Sequence, residues 1–168
     1  QLAQCGCEVV NVAPGTSWTE ILALNPDGLV ISSGPGDPNQ AGAVVAEIGK
    51  ALGQMPILGT GMGAQLICLA AGGAVTRMKV GHRGGNYAVR DIDGRSVAIT
   101  SQNHSYVMTG GPGFRKEFKV SHTNVNDGTV EGISSGTLRV LGVQFTPLSD
   151  ETGAPNAVFG WFTKAMKK

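Results

Sequence analysis

Three glycines at alternate positions, 59, 61 and 63, separate an apolar run, Pro56-Ile57-Leu58, from a second one that continues from Ala64 to Ala71. An apolar strand feeding directly into an apolar helix through such a turn constrains the fold more than anything else in this chain. Glycine lets neighbouring backbones come close, and it adopts positive φ at no steric cost. Parallel strands buried on both faces read as near-continuous apolar runs, and their crossovers are helical. The turn therefore predicts a helix-covered sheet with parallel strands.

The residues in front of it agree. Glu8–Val12 reads as a short buried strand. Ser17-Trp18-Thr19-Glu20 has the form of a capping box, a hydroxyl at the N-cap and a carboxylate three residues on. It predicts a helix through about Leu24, which Asn25-Pro26-Asp27-Gly28 breaks. Gly28–Ser33 reads as a strand ending in Gly34-Pro35-Gly36-Asp37-Pro38, and Ala41–Leu52 as a helix. Pro56–Leu58 is the next strand and about Ala64–Ala71 the next helix, a β-α-β-α-β-α alternation. From Val75 onward the pattern changes to strands at Asn86–Ile92, Ser96–Ser101, Phe118–His122, Thr129–Ser134 and Leu138–Phe145. A closing helix spans about Asn156–Lys167, with lysines in its last turn as the helix dipole favours. The expected fold class is α/β, with an antiparallel or mixed extension. Ligands in such sheets sit beyond the carboxyl ends of the strands, where both glycine-rich turns fall.

Composition narrows the function classes. Glycine supplies 26 of 168 residues, about twice its usual share of roughly 7%, and follows no three-residue repeat, so the excess belongs to turns and backbone-lined sites rather than collagen. Thirteen basic and 12 acidic side chains give +1, which leaves no electrostatic case for nucleic acid or an anionic membrane. No apolar run is long enough to span a bilayer, and the first residues lack the basic and apolar regions of a signal peptide. Cys5, Cys7 and Cys68 are a sparse, odd set that fits a reducing compartment, cytoplasmic or inside an organelle. His82, His104 and His122 show no metal-ligand spacing, and nothing completes a site for Cys5 and Cys7, so neither a metal nor a cofactor is expected.

The turn Gly59-Thr60-Gly61-Met62-Gly63-Ala64 formally satisfies the dinucleotide pattern G-x-G-x-x-[GA]. Against that reading, the next acidic residue is Asp91, beyond the roughly 20-residue spacing of a ribose-binding carboxylate. The same turn has the form of a nucleophile elbow. Pro56-Ile57-Leu58-Gly59-Thr60-Gly61-Met62-Gly63-Ala64-Gln65-Leu66 resembles the elbow of class I glutamine amidotransferases. Further segments are similar to the small, glutaminase subunit of carbamoyl-phosphate synthetases. They are Leu24-Asn25-Pro26-Asp27-Gly28, Ser33-Gly34-Pro35-Gly36-Asp37-Pro38, Lys79–Asn86, Thr100–Tyr106 and Asn124–Gly132. They hold their order and spacing from about Cys7 to Pro147.

The resemblance implies a flavodoxin-like parallel or mixed sheet flanked by helices, with an antiparallel extension. It implies one amidotransferase-like domain over 1–168, lacking the family's first strand and its separate N-terminal domain. In a doubly wound sheet that strand is interior, so the chain is expected to be part of a longer polypeptide, or another segment to fill the slot. The family's chemistry is a Cys–His–Glu triad in which thiolate attacks the glutamine amide, His shuttles the proton and Glu orients the imidazole. Those three places fall on Gly61, Thr146 and Leu148, none a chemical equivalent. Family positions that hold glutamine fall on Gly34, Gly36, Met62, Gln65, Asn103, Ser105 and Tyr106, with backbone N–H groups of Gly36 and Met62 on the oxyanion side. Ser105 stands where glycine is usual, and Ala64 where histidine or asparagine is usual. These positions are expected to persist chiefly for packing and turn geometry, as a vestigial site for L-glutamine. Cys68 is expected to be a buried helix-face residue rather than a substitute nucleophile, and His104 structural. Arg83 and Asn86 are expected to be structural or interface residues.

The expected function is a binding or structural partner of a carbamoyl-phosphate-synthetase large-subunit-like protein, released from glutaminase chemistry. Two alternatives are a working glutaminase that passes ammonia to such a protein, and a structural component of an unrelated complex.

Overall fold

The computed structural model describes residues 1–94 and 96–167. Its elements run in the order α1 (Trp18–Ala23), β1 (Leu29–Ile31), α2 (Gly42–Ala51), β2 (Ile57–Thr60), α3 (Met62–Ala70), β3 (Ala74–Asp91), β4 (Ser96–Thr109), β5 (Lys119–Asn124), β6 (Val130–Ser135), β7 (Val140–Val143) and α4 (Ala157–Met166). One seven-stranded sheet takes them in the order β1-β2-β7-β6-β4-β3-β5. β1, β2 and β7 are parallel, and β6 turns antiparallel onto β7. β5 pairs with both β3 and β6, so β6, β4, β3 and β5 close into a ring. The expected mixed sheet with an antiparallel extension is what the residues build.

Local chemistry explains the parallel half. α1 opens on a complete capping box: Ser17 Oγ accepts from the Glu20 N–H at 3.3 Å, and the Glu20 carboxylate accepts from the Ser17 N–H at 2.8 Å. Leu24 caps its end and Asn25 leaves it at φ 50°, where the sequence breaks the helix. α3 is buried through most of its length, from Gly63 to Cys68, and carries the core on one side of β2 with Ile48, Ala51 and Ile57. On the other side, Leu58, Leu141 and Val143 meet Phe159 and Phe162 of α4.

Two expectations need correction. Glu8–Val12 forms no strand; it is irregular, with Val9, Val10 and Val12 exposed, because no described segment offers it a ladder and an unpaired strand has nothing to hold its backbone groups. β1 accordingly is an edge strand, bonded only to β2, and no described segment of this chain fills the slot on its outer side. β3 and β4 are far longer than read, 18 and 14 residues, since the mostly exposed first half of β3 pairs with the second half of β4, and that ladder holds the backbone without a clear apolar alternation along β3.

Candidate functional site

The alternating glycines lie where β2 meets α3. Gly61 has φ 54° and ψ −120°, a region that favours glycine and strains other residues, and its N–H donates to Val143 O of β7 at 2.8 Å. Its own carbonyl accepts from Ala64 N–H at 3.1 Å, closing the first turn of α3. The flanking glycines answer to close packing. A Cβ on Gly59 would sit 2.8 Å from the Ala64 nitrogen, and one on Gly63 would overlap the Ile31 carbonyl of β1. The elbow is therefore wedged between β1, β7 and its own helix.

Above it opens a cleft of about 340 Å³ at the carboxyl ends of β1, β2 and β7. Gly34, Gly36, Met62, Gln65, Asn103, Ser105 and Tyr106 all border it, together with Gly61 and Thr146. Thr146 is held by its N–H, which donates to Ser101 O of β4 at 2.9 Å. Leu148 is not on the cleft wall; it is 56% exposed. Several of these side chains are already engaged with the protein. Gln65 is buried and donates from Nε2 to Tyr106 O at 3.2 Å. Ser105 Oγ accepts from the Arg83 guanidinium at 2.5 Å, which brings that cation to the rim of the cleft. Asn86, in the same stretch, is exposed and off the wall.

No cysteine, aspartate or glutamate lines the cleft among the described residues. Cys68 is buried on α3, its Sγ 3.7 Å from Ala74 O and 3.8 Å from Thr109 O, and burial pushes its thiol up to about 11. At neutral pH it holds its proton and is no nucleophile. The imidazole bordering the cleft, His104, has Nδ1 2.8 Å from Tyr106 O and Nε2 2.5 Å from Gln102 Oε1. Burial, set partly against the Tyr106 contact, lowers its pKa to about 4, so it is neutral near pH 7 with both nitrogens occupied. The cleft thus offers backbone N–H groups at a helix start, a guanidinium and hydroxyls.

Behind His104 is a cluster that sequence spacing did not bring together: His82, Gln102, Asn124, Glu131 and Gln144, all buried, with Asp127 at its edge. Burial raises the Glu131 carboxyl above its usual value despite hydrogen bonds from Asn124 and Gln102 and the proximity of His82. Asp127 is held below its usual value, where the Thr129 N–H, the Thr129 hydroxyl and His82 outweigh its partial burial. The readable signal was polar residues two apart, Gln102 and His104, inside a strand.

The family model of class-I glutamine amidotransferases matches residues 1–165. This chain belongs to that family. Among curated relatives, the chain resembles the carbamoyl phosphate synthase small chain of Staphylococcus haemolyticus, 42% identical over 169 residues, covering 100% of this chain and 46% of that protein. The carbamoyl phosphate synthase small chain of Methanocaldococcus jannaschii is 44% identical over 151 residues, covering 87% of this chain and 41% of that one. The chain thus spans less than half the length of these curated relatives. In fold it resembles the crystal structure of a candidate GMP synthase component from Thermoplasma acidophilum, with a TM-score of 0.71, 22% identity, and coverage of 92% of this chain and 77% of that one. Among the described residues, no helix is long and apolar enough to cross a membrane.

Proposed function

We propose that the chain is the amidotransferase domain of a carbamoyl phosphate synthase small subunit that no longer hydrolyses glutamine and serves as a binding partner of a synthetase-type large subunit. The observation that carries this reading is the elbow itself. It keeps the backbone of a nucleophile turn, Gly61 at φ 54° and ψ −120° at the start of α3, with no side chain to do the attack. Thr146 and Leu148 occupy the places that the resemblance assigns to the base and its orienting carboxylate, and neither can titrate near pH 7. Triad members act as a unit, so the loss of one removes the selective reason for the others.

On this reading the cleft residues persist because they pack. Gln65 ties α3 to Tyr106, Thr146 ties the segment after β7 to β4, and the glycines hold β1, β2 and α3 in contact. L-Glutamine is the ligand that such a cleft takes if it still binds one. The compartment that suits the three free cysteines is a reducing one.

The test is a glutaminase assay of the intact protein, alone and with a synthetase large subunit, beside pull-down of the large subunit from the source cell. Background hydrolysis in both conditions, with the large subunit recovered, is the expected result. Glutamine-dependent ammonia release would restore the working-glutaminase reading. Recovery of an unrelated complex in its place would make the domain a structural component elsewhere.

A further inference from the structure

The buried cluster behind the cleft poses a problem of protons. Gln102 and His104 are two residues apart on β4 and so share a face, and His82 of β3 stands directly across from His104 in the antiparallel register. Glu131 comes in from β6 with no exposure to solvent. His104 Nδ1 is 2.8 Å from a backbone carbonyl, Tyr106 O, an acceptor, so Nδ1 carries the proton and Nε2 is a lone pair. His82 Nε2 is 2.9 Å from the Asp127 carboxylate, an acceptor, so that nitrogen carries a proton and Nδ1 is the one turned inward.

The two inward nitrogens, His82 Nδ1 and His104 Nε2, face the same oxygens. His82 Nδ1 lies 3.2 Å from Glu131 Oε1 and 3.3 Å from Gln102 Oε1. His104 Nε2 lies 2.5 Å from Gln102 Oε1 and 3.9 Å from Glu131 Oε2. Turning the Gln102 amide over would give His104 a donor, yet His82 Nδ1 would still face Glu131 Oε1. Glu131 Oε2, buried, has no hydrogen-bond partner at all. Two ring nitrogens and two side-chain oxygens converging on one another, with an unpartnered buried carboxylate oxygen among them, suit a positive centre.

We propose that His82, His104 and Glu131, with the Gln102 carbonyl as a fourth donor, form a binding site for a divalent transition metal, zinc by preference. Two imidazoles and a carboxylate are ligands that zinc takes readily. One ligand atom from each of His82, His104 and Glu131 lies within 4.8 Å of the other two; the 3.2 Å from His82 Nδ1 to Glu131 Oε1 is close to the edge of about 3.3 Å of a tetrahedron with metal–ligand bonds of roughly 2.0–2.1 Å, and the Gln102 carbonyl, 2.5 Å from His104 Nε2, would draw back to make room for the ion. The outer partners are those of metal-bound histidines, a carboxylate behind His82 and a backbone carbonyl behind His104, while Asn124 Nδ2 donates to Glu131 Oε1 at 3.0 Å. With every donor buried and supplied by the protein, the site is closed. The ion would pin β3, β4 and β6 together behind the cleft and take no part in chemistry within it.

The intact protein, stripped with a chelator and titrated with cobalt(II), provides the test. One ion per chain, with the intense visible absorption of four-coordinate cobalt, no thiolate charge-transfer band, and displacement by zinc, is the expected result. Glu131→Gln should abolish that absorption. Asp127→Asn, which keeps every donor, should weaken cobalt binding about 10–100-fold, and unchanged circular dichroism would separate this from misfolding. A native spectrum without cobalt absorption would overturn the proposal, leaving His82 as an imidazolium between two carboxylates, visible by nitrogen NMR. Binding that carries a thiolate band and is lost in Cys5→Ser/Cys7→Ser would overturn it equally.

Discussion

Replacing Gly61 by cysteine tests whether this elbow can be returned to chemistry. The perturbation is a Cβ and a sulfur at φ 54° and ψ −120°, a conformation costing a non-glycine residue about 1–3 kcal/mol. The new Cβ would also meet the Ser33 side chain, 2.9 Å from its Cβ and closer still to its Oγ. Ser33 can turn its hydroxyl away but cannot move its Cβ without shifting the strand end, an overpacking cost toward the low side of about 1–3 kcal/mol. Together these predict a loss of about 2–4 kcal/mol, or a drop in Tm of roughly 4–16 °C for a chain of this size. Ser33→Gly in the same chain should return the overpacking part and leave the backbone part, a coupling that a double-mutant cycle of urea melts reads directly. Activity should stay at background, because His104 is committed to Tyr106 and Gln102 and no other imidazole borders the cleft among the described residues. Stability within about 0.5 kcal/mol of the parent, or measurable glutamine turnover by the single variant, would refute the reasoning.

Other expectations follow from the same geometry. Gly63→Ala should be more damaging than Gly61→Cys, about 3 kcal/mol or more, because its Cβ overlaps backbone of β1 that cannot rotate away, and a chemical melt measures it. In the metal-free protein, stability should fall as pH drops from about 6.5 toward 4. His104 is neutral in the fold down to about 4, whereas the unfolded chain takes up its proton near 6.5, so acid favours unfolding by up to about 3 kcal/mol. His122, also depressed by burial, acts in the same direction. Glu131 has the opposite sign: its raised pKa contributes stability below the ordinary carboxylate value that is lost as pH rises through the folded one. Urea melts of His104→Gln should show a shallower loss on acidification than the parent. A thiol reagent should modify half-buried Cys5 and Cys7 in the native protein, with Cys68 reacting only on unfolding, and equally fast reaction of all three would contradict its burial.

Much of the parallel half was legible from residues alone, since its signals are local. The Ser17–Glu20 capping box sits inside one helical turn, and the β2–Gly61–α3 elbow is a contiguous run of apolar residues and glycines. Glu8–Val12 misled because a valine-rich run records what a strand would bury and says nothing about whether a partner is present. The long β3–β4 ribbon was half invisible for the complementary reason: its ladder satisfies backbone groups without requiring apolar side chains.

The candidate site divides along the same line. Residue identities alone settle that Gly61 carries no nucleophile, that Cys68 is the sole cysteine near the elbow in sequence, and that three glycines alternate through the turn. They also carry the family, because five motifs in register are a one-dimensional signal. Which groups meet is another matter. His82, His104 and Glu131 stand far apart along the chain and face one another only because antiparallel register sets His82 opposite His104 while β6 turns Glu131 into the closed ring of strands. Register is a long-range quantity, fixed by which ladders close and which faces must be buried, and no spacing along the chain encodes it. The elbow could be read one residue after another; the charge hidden behind it exists only once the sheet has folded around it.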